Sequence, residues 1–216
     1  MTNVPENLKP TLAELILAVA DDKLILGHRN SDWTGLAPIL EEDIAFSSIA
    51  QDEIAHAQAL YEIASELVGR TADELAFGRA PDQFRCATIA EFPDNFNWGI
   101  AIVRQFFCDH FDWLRLQRMA KSAYQPLAAL AKRLAAEEKV HVDHVSIWMK
   151  HLGRGTDEAR RRLQRALETL EPSAPMLFEP VPGQDVLEAH GFYPEGVEDM
   201  FEQWRRMLLA VTEPVG

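Results

Sequence analysis

Two Glu-x-x-His steps, Glu53 with His56 and Glu138 with His141, constrain this chain more than any other feature. Each lies in a long stretch whose apolar residues recur every three or four positions. A spacing of three puts both side chains on one face of a helix, one turn apart. In both stretches that face is the apolar one. The first reads Phe46, Ile49, Glu53, His56, Leu60, Ile63, Leu67; the second reads Leu127, Leu130, Leu134, Glu138, His141, Val145, Trp148, Leu152. A carboxylate and an imidazole are cut into each of two core-facing stripes.

Two more stretches repeat the pattern with a single acid. One reads Ile102, Phe106, Asp109, Trp113, Leu116, and the other Leu12, Leu15, Val19, then Asp22 or Lys23, then Leu26. Four helices are therefore predicted, over 11–30, 39–68, 97–123 and 126–152. The first loop holds Gly35 and Pro38 and is short. The second, 70–96, is long and holds Gly78, Pro81 and Pro93, with a short helix over 71–77. The third is the break at Tyr124, Gln125 and Pro126. Short, long, short suits two antiparallel hairpins joined by a crossover, an all-α, ferritin-like four-helix bundle. Residues 1–153 make that bundle. Residues 154–216 are read as a tail packing on the bundle or on a partner: a basic helix over 156–170, an extended proline-rich strap over 171–183 and a last helix over 195–211. No strand alternation of useful length occurs.

Burying one unpaired carboxylate costs several kcal/mol, and four in one core demand compensation. Asp22, Glu53, Asp109 and Glu138 carry four negative charges, which two divalent ions would balance. His56 and His141 add neutral nitrogen donors, and mixed imidazole and carboxylate suits iron or manganese. The predicted metal ligands are Asp22, Glu53, His56, Asp109, Glu138 and His141. The alternative is a metal-free cluster in which the Lys23 ammonium does the neutralising. Asp112 falls off the apolar seam and reads as a surface or supporting acid. His144 lies one turn beyond His141, and His28 and His110 read as unrelated to the centre.

Composition narrows the partners. With 47% hydrophobic residues among 216, a sizeable core is available, and a net charge of −13 argues against nucleic acid and anionic membranes. The two cysteines, Cys86 and Cys108, form no Cys-x-x-Cys pair and read as buried thiols in a reducing cytoplasm. The first ten residues lack the basic start and apolar run of a signal peptide. No run of 18 apolar residues suggests a membrane span.

The run Ile49-Ala50-Gln51-Asp52-Glu53-Ile54-Ala55-His56, followed by Leu60-Tyr61-Glu62-Ile63-Ala64, resembles the first metal motif of the phenylacetic acid catabolic protein family. That family provides the ferritin-like subunits of a bacterial multicomponent di-iron monooxygenase, which epoxidises the ring of phenylacetyl-CoA with O2. The stretch from Asp22 through Asn30, with Trp33, Ala37-Pro38, Leu40 to Ala45, Asp82 to Arg85 and His151 to Thr156, is similar to the non-catalytic C-type subunit. The Glu53, His56, Asp109, Glu138 and His141 set is instead similar to the catalytic A-type subunit. On helix one, Asp22 is a methylene shorter than the glutamate expected there, and Lys23 is adjacent. The resemblance implies a cytoplasmic oligomer with a homologous catalytic subunit, a reductase and an aromatic acyl-CoA substrate. It leaves two roles open, a di-iron (or di-manganese) oxygenase and a metal-free scaffold. A ferritin-like or manganese-catalase-like di-metal protein is a third.

Overall fold

The computed structural model describes residues 4–194 and 197–212. Its main helices are α1 (Lys9–Ser31), α2 (Leu40–Val68), α3 (Ala72–Phe77), α4 (Thr88–Glu91), α5 (Trp98–Met119), α6 (Gln125–Gly153), α7 (Asp157–Leu170), α8 (Gln184–Ala189) and α9 (Val197–Thr212). No strand occurs among the described residues. The bundle is built from α1, α2, α5 and α6, packed as the hairpins α1–α2 and α5–α6, with 69–97 crossing over between them. The fold is all-α and ferritin-like, as the helix and loop pattern predicts.

Local chemistry sets the boundaries. Glu41, Glu42 and Asp43 fill the first turn of α2, where the helix dipole favours acids, and Gly69 ends α2 in a left-handed conformation (φ 68°). Thr71 and Glu74 form a reciprocal capping box that starts α3. Asn97 caps α5 by accepting from the amides of Gly99 and Ile100, and Thr156 caps α7. Pro126 sits in the first turn of α6, where no amide hydrogen is needed.

The helix ends of the bundle fall within a few residues of those expected. The start predicted for the last helix, Glu195, lies outside the described residues. The strap differs from expectation: Glu171–Phe178 is a run of 3-10 turns rather than an extended segment. Proline's fixed φ near −65° suits a 3-10 turn as well as an extended strand, and Leu177 and Phe178 bury against the bundle from that conformation.

The chain beyond Gly153 packs on α5. Leu163, Ala166, Leu170, Met200, Trp204 and Leu208 join one apolar cluster with Ile102, Phe106 and Phe111, and the Trp204 indole donates to the Phe107 carbonyl at 3.0 Å. α5 is thus covered along most of its surface, with Trp98 and Trp113 half-buried and Gln117 exposed. A second apolar cluster, around Leu12, Ile16, Leu60, Leu127 and Leu134, fills the other half of the bundle. Between the two lies a layer of charge.

Candidate functional site

That layer centres on an amine. Lys23, fully buried on α1, places Nζ 3.0 Å from Glu53 Oε2 and 2.9 Å from Asp112 Oδ2, and in direct contact with Glu138. Three carboxylates from α2, α5 and α6 converge on one ammonium, which has three protons to donate and no lone pair. α1 reaches this depth because Gly27, one turn on, has no side chain. A Cβ there would lie 2.7 Å from Ile54 Cγ1 and 3.2 Å from the Ala50 carbonyl of α2.

The histidines frame the same centre. His141 Nδ1 stands 3.7 Å from Glu53 Oε1 and 3.6 Å from Glu138 Oε2, while its Nε2 faces Asp52 Oδ2 at 3.3 Å. His56 Nε2 bonds Glu137 Oε2 at 2.7 Å, with Nδ1 turned inward, 4.0 Å from Glu138. The two rings are near-parallel, 6.2 Å apart. Asp109 accepts from Gln105 Nε2, and Gln105 Oε1 accepts from Asn30 Nδ2 at 3.0 Å, so a polar chain links α5 back to α1.

Electrostatics separates these groups. Burial works against the Lys23 ammonium, but Asp112, Glu138 and Glu53 outweigh it and hold its pKa well above the usual lysine value. Burial likewise opposes the charge on Glu138, yet Lys23 and His141 pull its pKa down to about 2. His141, despite its burial, is raised to about 11 by its contacts with Glu138 and Glu53, which makes it an imidazolium at neutral pH. Asp109 goes the other way: burial, then repulsion from Glu138, raises it well above the carboxylate range.

Asp22 is not brought to this centre. Its oxygens accept from the Ala87 amide at 2.7 Å and from Arg115 at 3.0 Å, and burial raises its pKa to about 6 against the pull of Arg115. Helix α1 therefore turns Lys23, and not Asp22, toward Glu53 and Glu138. Asp112, read from the sequence as peripheral, is 2% exposed and bridges Lys23 to Arg115. It lies off the apolar seam of α5, yet α1 packs close enough for Lys23 to reach it. The signal was there: apolar residues occur on every side of α5, and Arg115 follows Asp112 by one turn. His144 bonds Glu42 at 2.9 Å, away from the centre. His110 is buried against the Phe106 carbonyl, and burial lowers its pKa to about 4.

A metal fits part of this arrangement. Donor atoms of Glu53, Glu138 and His141 lie within 4.8 Å of one another. His56 Nδ1, His141 Nδ1 and Glu138 Oε1 are buried without a hydrogen-bond partner, while Glu137 and Asp52 hold the far nitrogens of the two rings, as outer carboxylates do around metals. A pair of metal ions does not fit. The place between Glu53 and Glu138 is taken by the Lys23 ammonium, and α1 brings no carboxylate to it. The frame is that of a di-metal carboxylate bundle, with a fixed side-chain cation at its centre.

Fold and centre together define a ferritin-like bundle whose acidic core is closed by lysine. All 216 residues match the family described as "Phenylacetic acid catabolic protein". Over 169 residues the chain is 32% identical to the C subunit of the 1,2-phenylacetyl-CoA epoxidase of Escherichia coli (strain K12), covering 78% of this chain and 68% of that protein. The chain belongs to the phenylacetic acid catabolic protein family. Among the described residues no helix is long and apolar enough to cross a membrane.

Proposed function

We propose that this chain is the holding subunit of a phenylacetyl-CoA epoxidase-type complex, a component of phenylacetate catabolism that supports a catalytic homologue. The observation that carries this reading is the contact of Lys23 with Glu53, Asp112 and Glu138. A di-metal oxygenase needs those oxygens for its ions. Here the Lys23 ammonium, the His141 imidazolium and the Arg115 guanidinium face the three carboxylates, so side chains alone supply the opposing charge. The match to one subunit of the E. coli epoxidase supports the assignment to a multisubunit assembly. In that assembly the oxygen chemistry, the reductase and the acyl-CoA substrate belong to the homologue. The complex is cytoplasmic.

A second reading is favoured by the Nδ1 atoms of His56 and His141, which point inward toward the Glu53 and Glu138 carboxylates without a hydrogen bond. In it, one transition-metal ion is held by Glu53, Glu138 and His141 after Lys23 swings aside. Metal analysis separates the two. The chain, purified after growth in iron-supplemented medium, is expected to hold well under one iron or manganese per chain and to keep its melting temperature in EDTA. Two tightly held ions per chain would overturn the holding role, and one would establish the second reading.

A further inference from the structure

A cavity of about 370 Å³ lies under the strap, between α1, residues 84–87 of the crossover and α5. Its wall is of two kinds. Phe84, Phe111 and Phe178 line it with rings, the last two edge to face at 4.9 Å. Asp22, Arg115, Gln184 and Tyr193 line it with polar groups, and each of these residues is at most 7% exposed. Polar groups so buried need partners, and here the partners are uneven. Asp22 is met by the Ala87 amide and by Arg115 Nη1, while Arg115 Nη2 reaches Asp112. Gln184 Nε2 donates to Glu188 at 3.0 Å. Two donors fall short. Arg115 Nε has no hydrogen-bond partner, and the Tyr193 hydroxyl meets only the Met200 sulfur, a weak acceptor, at 4.0 Å. A buried phenol ordinarily finds an oxygen or nitrogen.

We infer that this cavity binds a small neutral aromatic molecule through a carbonyl or hydroxyl oxygen, which supplies the acceptor that Tyr193 and Arg115 lack. The inference goes beyond the holding role and does not depend on it. Size sets the scale. An apolar cavity of about 150 Å³ already takes a benzene ring, so this one takes a ring with a short substituent. The three phenylalanines favour a ring, whose edge and face can pack against theirs. Charge selects a neutral head. The charged residues lining the cavity are Asp22, Arg85, Arg115 and Glu179, two acids and two bases. Arg115 is already paired with Asp22 and Asp112, and Arg85 with Glu14. No cation is left over for a carboxylate, and Asp22 and Glu179 repel one. Glu179 and Pro180 of the strap line the cavity and are exposed, so it opens to solvent on that side.

The test is ligand-observed NMR titration of the full-length chain with acetophenone, benzoate and toluene, at about pH 8, above the pKa of about 6 of Asp22. Acetophenone is expected to bind with a dissociation constant on the order of 1 mM, as a molecule of that size can. Benzoate, with a charged head, and toluene, with no acceptor, should each bind about 10-fold more weakly. Tyr193→Phe removes one hydroxyl and is expected to weaken acetophenone about 10-fold while leaving toluene within about twofold. Ala18, half-buried on α1, lines the cavity, and Ala18→Phe places a ring inside it. That variant should lose both acetophenone and toluene. Its melting temperature shows whether the fold is intact; if it unfolds, Tyr193→Phe carries the test alone. The inference is overturned if acetophenone does not bind the parent at about 20 mM, or if folded Ala18→Phe binds it as the parent does. It is equally overturned if benzoate binds as tightly as acetophenone, or if Tyr193→Phe affects acetophenone no more than toluene.

Discussion

Lys23 of α1 and Glu138 of α6 are in direct contact at the dry centre of the bundle, both fully buried. Their separation in the sequence is large, and the contact joins one hairpin to the other. It converts what the sequence presents as a surplus of buried acid into a closed set of ion pairs. A metal-binding frame and a metal-free core differ here by which of two neighbouring residues, Asp22 or Lys23, the first helix turns inward.

Replacing Lys23 by Gln leaves Glu53, Asp112 and Glu138 facing one another without their cation. Breaking a buried pair from one side costs about 3–5 kcal/mol. For a chain of this size, that corresponds to a drop in melting temperature of roughly 10 °C. The variant should recover part of the loss in millimolar Mn2+, because the ion then finds three carboxylates with no competitor and binds only the folded state. Thermal melts of parent and variant, with and without Mn2+, check both halves. The parent should show no Mn2+-dependent shift.

Gly27→Ala sets two effects against each other. Alanine favours a helix interior over glycine by about 1 kcal/mol. The added Cβ would meet Ile54 Cγ1 at 2.7 Å and the Ala50 carbonyl at 3.2 Å, and forcing a methyl into such a contact costs about 1–3 kcal/mol. A net loss is expected in the parent background. In an Ile54→Ala background the side-chain clash is gone, and the same substitution should become neutral or stabilising. A double-mutant cycle read by denaturant melts gives the sign change. Equal effects in both backgrounds would remove Gly27 from its spacing role.

The pH dependence of stability follows from His141. Its pKa lies at about 11 in the folded chain against 6.5 for the free group. The folded state therefore holds the proton more tightly. The stability this gives is complete below pH 6.5 and is lost progressively as pH rises toward 11. Glu138 mirrors it: lowered from 4.5 to about 2, it contributes above pH 4.5 and loses its contribution as pH falls toward 2. Between about pH 7 and 9 the parent should lose about 5 °C in melting temperature, and His141→Gln should be markedly flatter over the same range. Differential scanning calorimetry across that range checks the difference.

The bundle was legible in the sequence because its helices are long and amphipathic and its loops carry glycine and proline. The Glu53, His56, Glu138 and His141 frame was legible because polar residues cut into apolar stripes are rare. The orientation of α1 was not legible. Asp22 and Lys23 are adjacent, about 100° apart around the helix axis, and the seam of leucines and valines leaves either near the centre. The close approach at Gly27 and the pull of Arg115 and the Ala87 amide on Asp22 decide the matter, and both are tertiary. Asp112 was lost for a related reason. It lies one turn from Asp109 on α5 and points toward α1, with Lys23 and Arg115 holding it, a placement set by how closely α1 packs.

Asp109 and Asp112 provide the sharpest contrast, because they are one turn apart on α5 and both are fully or almost fully buried. Burial, with repulsion from Glu138, pushes Asp109 well above the carboxylate range, and the Gln105 amide donates to one of its oxygens. Asparagine keeps the accepting oxygen and brings no charge to a site where burial disfavours one, so Asp109→Asn should change stability by less than about 1 kcal/mol. Asp112 is paired on one oxygen with Lys23 and on the other with Arg115. Asp112→Asn leaves two buried cations short of a partner and should cost about 3 kcal/mol or more. Urea melts of the two variants at neutral pH make the comparison directly. Equal losses would mean that the contacts of Asp112 with Lys23 and Arg115 contribute no more than the single hydrogen bond of Asp109, and the lysine-centred balance of the core would have to be abandoned.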